Sequence, residues 1–257
     1  MIRAASRHRH AIRLGREVAL VIVAYWAYYL ARALAAGRVE DAFDNAHIIV
    51  STEQALGIFV ELPLQIALLG YDLIVHFFSL WYFWGHFPLI ALFGVWTLFR
   101  HGDDYRWARN AIFIAGALAL IGYAAFPVAP PRLLPAAGFV DTLDSAFVLK
   151  YSDSTLVNQF AAVPSMHFGF AVIIGAALYR ILGGRRGAAA GLLIASLMLT
   201  SIIVTGNHYF LDAALGLPPA IAGMMLATRI ERYRYIPRLM ACLQRSFLGE
   251  RRRALRV

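Results

Sequence analysis

The sequence predicts an all-α, polytopic membrane protein: six transmembrane helices plus an outer-face interfacial or re-entrant helical segment over about residues 38–80, in a single membrane domain spanning 1–257. Three observations carry that expectation. Of 257 residues, 60% are hydrophobic and only 15% are charged, a balance unlike that of soluble domains. Six apolar runs are long enough to cross a hydrocarbon core of about 30 Å. Basic residues gather in short clusters at the ends of those runs, which is the positive-inside pattern.

The runs are Val18–Ala36, Tyr82–Phe99, Ala108–Phe126, Ser165–Leu182, Ala188–Thr205 and Tyr209–Thr228. The first is too long for a signal-peptide h-region and has no small-residue cleavage site, so it reads as a retained anchor. A further stretch, Leu62–Leu80, is interrupted by Asp72 and His76. Charge parity decides its place. With six spans, twenty of the 24 basic residues fall on one side, in the amino-terminal segment, the two inner loops and the tail from Arg229. A seventh span would put the amino terminus opposite the other clusters. Leu62–Leu80 therefore lies on the outer interface, and Glu40, Asp41, Asp44, Glu53, Glu61 and Asp72 form the polar side of an amphipathic segment. Asp72 and His76 belong to that polar face. Trp81, Tyr82, Phe83 and Trp84 read as an interfacial aromatic belt, and His86 either lines a site beside it or is a satisfied interfacial histidine. The second outer loop opens with Pro127-Val-Ala-Pro-Pro-Arg-Leu-Leu-Pro135, stiffened by four prolines. Pro218-Pro219 predicts a kink in the sixth span. Both basic termini, His8 and His10 included, are expected in the cytoplasm.

Net charge is +9, carried almost wholly by Arg, with Lys150 the only lysine. Because the charge caps apolar runs, it excludes a nucleic-acid partner and points to anionic lipid headgroups. One cysteine, Cys242, excludes a disulfide framework or a thiolate metal site.

Two stretches carry chemistry. Asn158–Val172, NQFAAVPSMHFGFAV, places His167 at the head of an apolar run. Thr205–Gly216, TGNHYFLDAALG, places His208 and Asp212 between two others. Ionisable groups at the edge of a span are costly and indicate function. His208 and Asp212, four apart, share a helix face. Asp212 can accept from one ring nitrogen of His208 and leave the other as a lone pair. Pro164 suits the first turn of a helix whose free amides make an anion site beside His167. Arg132, one of few outer-face cations, can grip phosphate as a bidentate fork. All four residues come to one level, on the outer face. An oriented imidazole, a second imidazole, an amide-rich helix start and an Arg suit phosphoryl transfer.

The pair Pro164-Ser-Met-His167 and His208-Tyr-Phe-Leu-Asp212 resembles the type 2 phosphatidic acid phosphatase superfamily, which includes the vanadium haloperoxidases. The resemblance covers about Tyr82–Thr228, and the surrounding words look most like the branch of fungal inositol phosphorylceramide synthase, with sphingomyelin synthases more distant. It implies a metal-independent reaction without cofactor. His208 would be the nucleophile and form a phosphohistidine, with Asp212 orienting it. His167 would trade protons with the leaving group and the acceptor. Ser165 and nearby amides would hold phosphoryl oxygens.

The sequence departs from the family pattern at two cations. The first motif usually has a Lys seven residues before an Arg-Pro; here Arg132 precedes Leu133 and Ala125 stands seven before. The third motif usually has Ser-Arg ahead of its His; Ser201 is present, but Ile202 follows it. Arg132 is left as main phosphate clamp, with Arg38 or Lys150 as helpers. A weakly charged site handles a phosphodiester monoanion more readily than a phosphomonoester dianion. The expectation is a plasma-membrane lipid phosphotransferase or phosphohydrolase acting on a phospholipid headgroup, with a polyol or other alcohol as possible acceptor. The alternatives are a plain phosphatase for phosphatidic acid or a polyprenyl phosphate and, lower, a proton-coupled transporter using the His/Asp groups as a relay. A transporter would carry mid-membrane polar groups and inverted repeats, and neither is visible. A metal-dependent hydrolase with two His and one Asp lacks any zinc-type spacing.

Overall fold

The structure is a computed structural model that describes residues 14–27, 29–30, 38–143 and 159–254, with side chains as far as 233. Residues 144–158 of the second outer loop, Lys150 among them, and residues 28 and 31–36 of the first expected span lie outside them. Residues 14–27 and 29–30 are helical. Eight further helices follow: α1 Val39–Leu56, α2 Glu61–Leu69, α3 Asp72–Trp84, α4 Phe87–Arg100, α5 Gly102–Ala125, α6 Met166–Leu182, α7 Gly184–Val204 and α8 Phe210–Ala254.

Three described helices, Gly102–Ala125, Gly184–Val204 and Phe210–Tyr233, are singly long and apolar enough to cross a membrane. There are five if the bent pairs α1–α2 (94°) and α3–α4 (51°) each make one span. The α6 helix has 17 residues, about 26 Å at 1.5 Å per residue, because Pro164 and the N-cap Ser165 set its start. The expected segmentation at residues 62–99 is corrected. Leu62–Leu80 is broken at Gly70–Tyr71, and Tyr82–Phe99, expected as one run, is broken at Gly85–His86. The Gly85 amide closes the last turn of α3 on the Trp81 carbonyl at 2.7 Å, and Pro88 sits in the first turn of α4. Hydropathy is continuous across both breaks, so it conceals them. No break interrupts α8 at Pro218-Pro219.

The core is a three-helix seam of α5, α6 and α8. Ala108, Ala111, Ala115 and Ala119 recur along one face of α5 and meet Ile173, Ile174 and Ala177 of α6 and Ala220 and Ala227 of α8. Small residues at helical spacing bring backbones close, which is how helices associate where lipid supplies no hydrophobic drive. The Trp107 indole N–H donates to Thr228 Oγ1 across this seam at 2.9 Å, worth about 0.6 kcal/mol in such a setting. At the α6–α7 crossing a Cβ on Gly175 would come within 2.8 Å of the Gly191 carbonyl oxygen, so only glycine permits that approach. The α3 helix packs on the outer side of α7.

The two ends of the bundle differ chemically. At one end Arg109 grips the Glu17 carboxylate at 2.6 and 2.7 Å, and Arg180 of α6 reaches Asp104 of α5 and Glu231 of α8. Among the described residues, Arg109 and Arg180 therefore lie at this end. At the other end lie the start of α6, the end of α7 and the start of α8. The proline-rich loop is pinned there by two 3-10 turns, Pro131–Leu133 and Pro135–Ala137, and by the Arg132 amide on the Gly206 carbonyl at 2.7 Å. The α1 helix joins this end too. Arg38 donates to the Ala124 carbonyl at 2.7 Å, and Ala42 and Ala46 pack on Val128, Ala129, Val163 and Tyr209.

Candidate active site

His208 and Asp212 meet as their spacing requires. The turn 205–207 delivers them: the Asn207 and His208 amides both bond the Ile202 carbonyl, at 3.0 and 3.1 Å. His208 Nδ1–H donates to the Ala162 carbonyl at 2.9 Å and lies 3.3 Å from Asp212 Oδ2. Both neighbours are acceptors only, so they assign the proton to Nδ1 and leave Nε2 with a lone pair. Asp212 is itself fixed: its Oδ2 accepts the Tyr209 amide at 2.9 Å, and its backbone carbonyl accepts the Ser165 amide at 2.9 Å. That last bond ties the start of α8 to the start of α6.

His167 comes from the α6 start. Its Nδ1 lies 3.3 Å from His208 Nε2. With a lone pair on Nε2, that contact is a hydrogen bond donated by His167 Nδ1–H. His208 is buried and His167 half-buried. The His167 ring stacks on Tyr82, centroids 4.4 Å apart, and packs at 3.9 Å on His86. His86 is buried and parallel to Phe170. Of the two readings the sequence left open for His86, the structure gives the site-lining one.

Ser165 is the N-cap of α6, yet its hydroxyl makes no cap bond and is fully buried without a partner. A serine at this position normally bonds an amide of the first turn. Here the hydroxyl and the first-turn amides of Met166, His167 and Phe168 are left uncapped, and a phosphoryl oxygen would satisfy them. Arg132 is buried at the same end of the bundle, against the turn that precedes His208. Its Nε donates to Asn207 Oδ1 at 3.0 Å, and one terminal nitrogen pairs with Asp141 at 3.0 Å. Asn207 in turn donates to Thr205 Oγ1 at 2.9 Å. The structure thus brings Arg132, Ser165, His167, His208 and Asp212 to one end of the bundle. Arg38 is corrected as a phosphate helper: its guanidinium is committed to the Ala124 carbonyl and Asp41. Among the described residues no group of three or more His, Cys, Asp or Glu is arranged to hold a metal ion.

Sequence reasoning missed several participants. Ala162 acts through its carbonyl and leaves no side-chain signal. Tyr82 reads from the sequence as a belt residue. The largest correction concerns Glu53 and Glu61, expected on a solvated polar face and found fully buried. Glu53 Oε1 accepts the Leu211 amide at 2.6 Å, and Glu61 Oε1 accepts the Phe210 amide. They cap the helix that carries Asp212, and burial is tolerable because the helix start supplies both amides and the positive end of its dipole.

A comparison with solved structures finds a crystal structure of Aquifex aeolicus LpxE, with 18% identity, a TM-score of 0.49 and coverage of 61% of this chain and 86% of that one. No curated protein matches the chain. A profile of the PAP2 superfamily matches residues 47–227, reaching some 35 residues further upstream than the sequence motifs suggest and taking in Glu53 and Glu61. The chain belongs to the PAP2 superfamily.

Proposed function

We propose that this chain is a lipid phosphotransferase or phosphohydrolase that cleaves a phospholipid phosphoester through a phosphohistidine on His208, from the outer face of the plasma membrane. The observation that carries this reading is the tethering of His208 Nδ1–H by Ala162 and Asp212, which turns a lone pair on Nε2 toward His167. Substrate phosphate displaces the His167–His208 contact. The Nε2 lone pair forms the P–N bond as the P–O bond to the leaving group breaks. Protonated His167 gives its proton to the departing oxygen. Asp212 offsets the positive charge that appears on the His208 ring. Neutral His167 then takes a proton from water or an alcohol, whose oxygen attacks phosphorus and expels Nε2. Arg132, Ser165 and the first-turn amides of α6 hold the phosphoryl oxygens.

Within this reading, transfer of a phosphodiester headgroup fits better than monoester hydrolysis. The site's one described guanidinium shares its charge with Asp141, and Ala125 and Ile202 stand where the family's other cations would be. A monoanion demands less positive charge than a dianion.

The test is a brief pulse of the detergent-solubilised protein with lipid labelled at phosphorus, using phosphatidic acid as monoester and phosphatidylinositol as diester. Acid-labile, base-stable label on His208, absent from His208→Ala, is expected, with faster turnover of the diester. A His208→Ala variant that folds and turns over normally would sink the scheme. Faster phosphate release from phosphatidic acid would reverse the preference for transfer.

A further inference from the structure

Glu53 and Glu61 come from the two arms of the bent pair α1–α2, and neither is used in the mechanism above. Both are fully buried, and neither forms an ion pair among the described residues. Each spends Oε1 on one amide of the α8 start and has an Oε2 with no hydrogen-bond partner among the described residues. Their Oε1 atoms accept the amides of two successive residues, Phe210 and Leu211, so both carboxyls converge on one helix start. Two carboxylates can bond to one another only through a proton, and two bare negative charges side by side in a desolvated pocket repel strongly. The charged and titratable neighbours facing the pair are Asp212 and Tyr209, neither a cation. Gln65, one turn beyond Glu61, extends the same clasp. It donates to the Val204 carbonyl at 3.1 Å and the Val140 carbonyl at 3.0 Å, and accepts the Val140 amide at 2.9 Å. The α1–α2 unit therefore grips the end of α7, the start of α8 and the strand of loop that carries Asp141, partner of Arg132.

We infer that Glu53 and Glu61 are a proton-sharing carboxyl pair that positions His208 and Asp212 by capping the start of α8. Together they hold one negative charge at the positive end of that helix. Their two amide bonds fix the residues that flank Asp212. They are positioning residues, acting through Asp212 and His208 rather than on substrate. The inference rests on the phosphohistidine reading for its kinetic arm only.

The pair predicts a non-additive pattern. In Glu53→Gln or Glu61→Gln the amide oxygen still accepts from the helix, and its NH2 supplies the hydrogen that the shared proton supplied. In the double variant two NH2 groups face each other, so one side chain must turn and leave Phe210 or Leu211 unpaired. Each single variant should lower kcat by no more than about threefold. The double should lower it at least about fiftyfold with KM changed less than about twofold, the signature of misplaced catalytic groups. Turnover is measured on phosphatidic acid and phosphatidylinositol in mixed micelles with the full-length protein. An activity-independent arm is infrared spectroscopy in D2O: the wild type should show a carboxylic-acid C=O band that both single variants lack. A band unchanged in the single variants, or a double variant whose kcat equals the product of the singles, would overturn the inference. Activity retained in His208→Ala would instead overturn the phosphohistidine reading and leave the infrared result to judge the pair.

Discussion

Gly216 lies one turn beyond Asp212 on α8, where that helix crosses the residue that opens α6. A Cβ at 216 would lie 2.3 Å from the Ser165 carbonyl oxygen and 3.2 Å from its carbon. Both sides of the contact are backbone, so no rotamer change relieves it. Reaching an ordinary carbon–oxygen separation of about 3.3 Å requires the two segments to part by about 1 Å. The Ser165 amide to Asp212 carbonyl bond, 2.9 Å, spans the same gap, and His167 and His208 sit on its two sides. Overpacking of this kind costs about 1–3 kcal/mol, while alanine regains about 1 kcal/mol of helix propensity over glycine. Gly216→Ala should therefore melt within a few degrees of the wild type. Catalysis is less forgiving: a displacement of about 1 Å between His167 and His208 costs roughly 100-fold in kcat. The assay pairs thermal denaturation in detergent with initial rates on labelled lipid. Gly94→Ala serves as control, since nothing lies within 4 Å of its Cβ, and it should leave rates untouched. Wild-type kcat in Gly216→Ala would refute the claim that the Ser165–Gly216 approach sets the histidine pair.

Two substitutions probe the groups around His208. For Asp212→Asn, the 3.3 Å separation from His208 Nδ1 sets a ceiling of about 5 kcal/mol at an effective dielectric constant of about 20. The Ala162 carbonyl still holds the tautomer, so kcat should fall by about 100- to 1,000-fold with KM within about threefold; a loss under tenfold in rapid-quench turnover would mean that Asp212 only packs. Arg132→Lys gives up the Nε bond to Asn207 and the planar fork, so KM should rise about tenfold and kcat much less. Unchanged steady-state KM would remove Arg132 from phosphate binding.

What the sequence could reveal divides along a physical line. His167, His208, Asp212 and Arg132 were legible because each is an ionisable group at the edge of an apolar run, and because spacing and charge parity are local properties. The α1–α2 clasp was not. Glu53 and Glu61 alternate with apolar residues as an interfacial helix would, and the amides that make their burial affordable lie 158 and 149 residues downstream. With the 94° bend between α1 and α2, both carboxyls reach the start of α8, and no hydropathy window reports a bend. Helix breaks at Gly70 and Gly85 were hidden for the same reason. The three-helix seam drew no expectation from the sequence, since the alanines of α5 meet partners on α6 and α8 far along the chain.

The electrostatics of the site follow from which helix starts are occupied. Two of the helices that begin there, α6 and α8, carry the paired histidine stretches, and each start offers backbone amides and a positive dipole end. At α8 three carboxyl groups have taken the amides of Tyr209, Phe210 and Leu211. Those three amides are spent within the protein and fix the turn that carries His208, the proposed nucleophile. At α6 the Ser165 amide is spent on Asp212, but the hydroxyl and the next three amides are not capped by side chains. Phosphate thus has one helix start open to it and one guanidinium, itself paired with Asp141. The carboxyl groups that rigidify His208 also repel a highly charged substrate. Placing the proposed nucleophile beside an acid-capped helix start restricts the charge the site can accept, and that restriction is the physical argument for the proposed phosphodiester substrate.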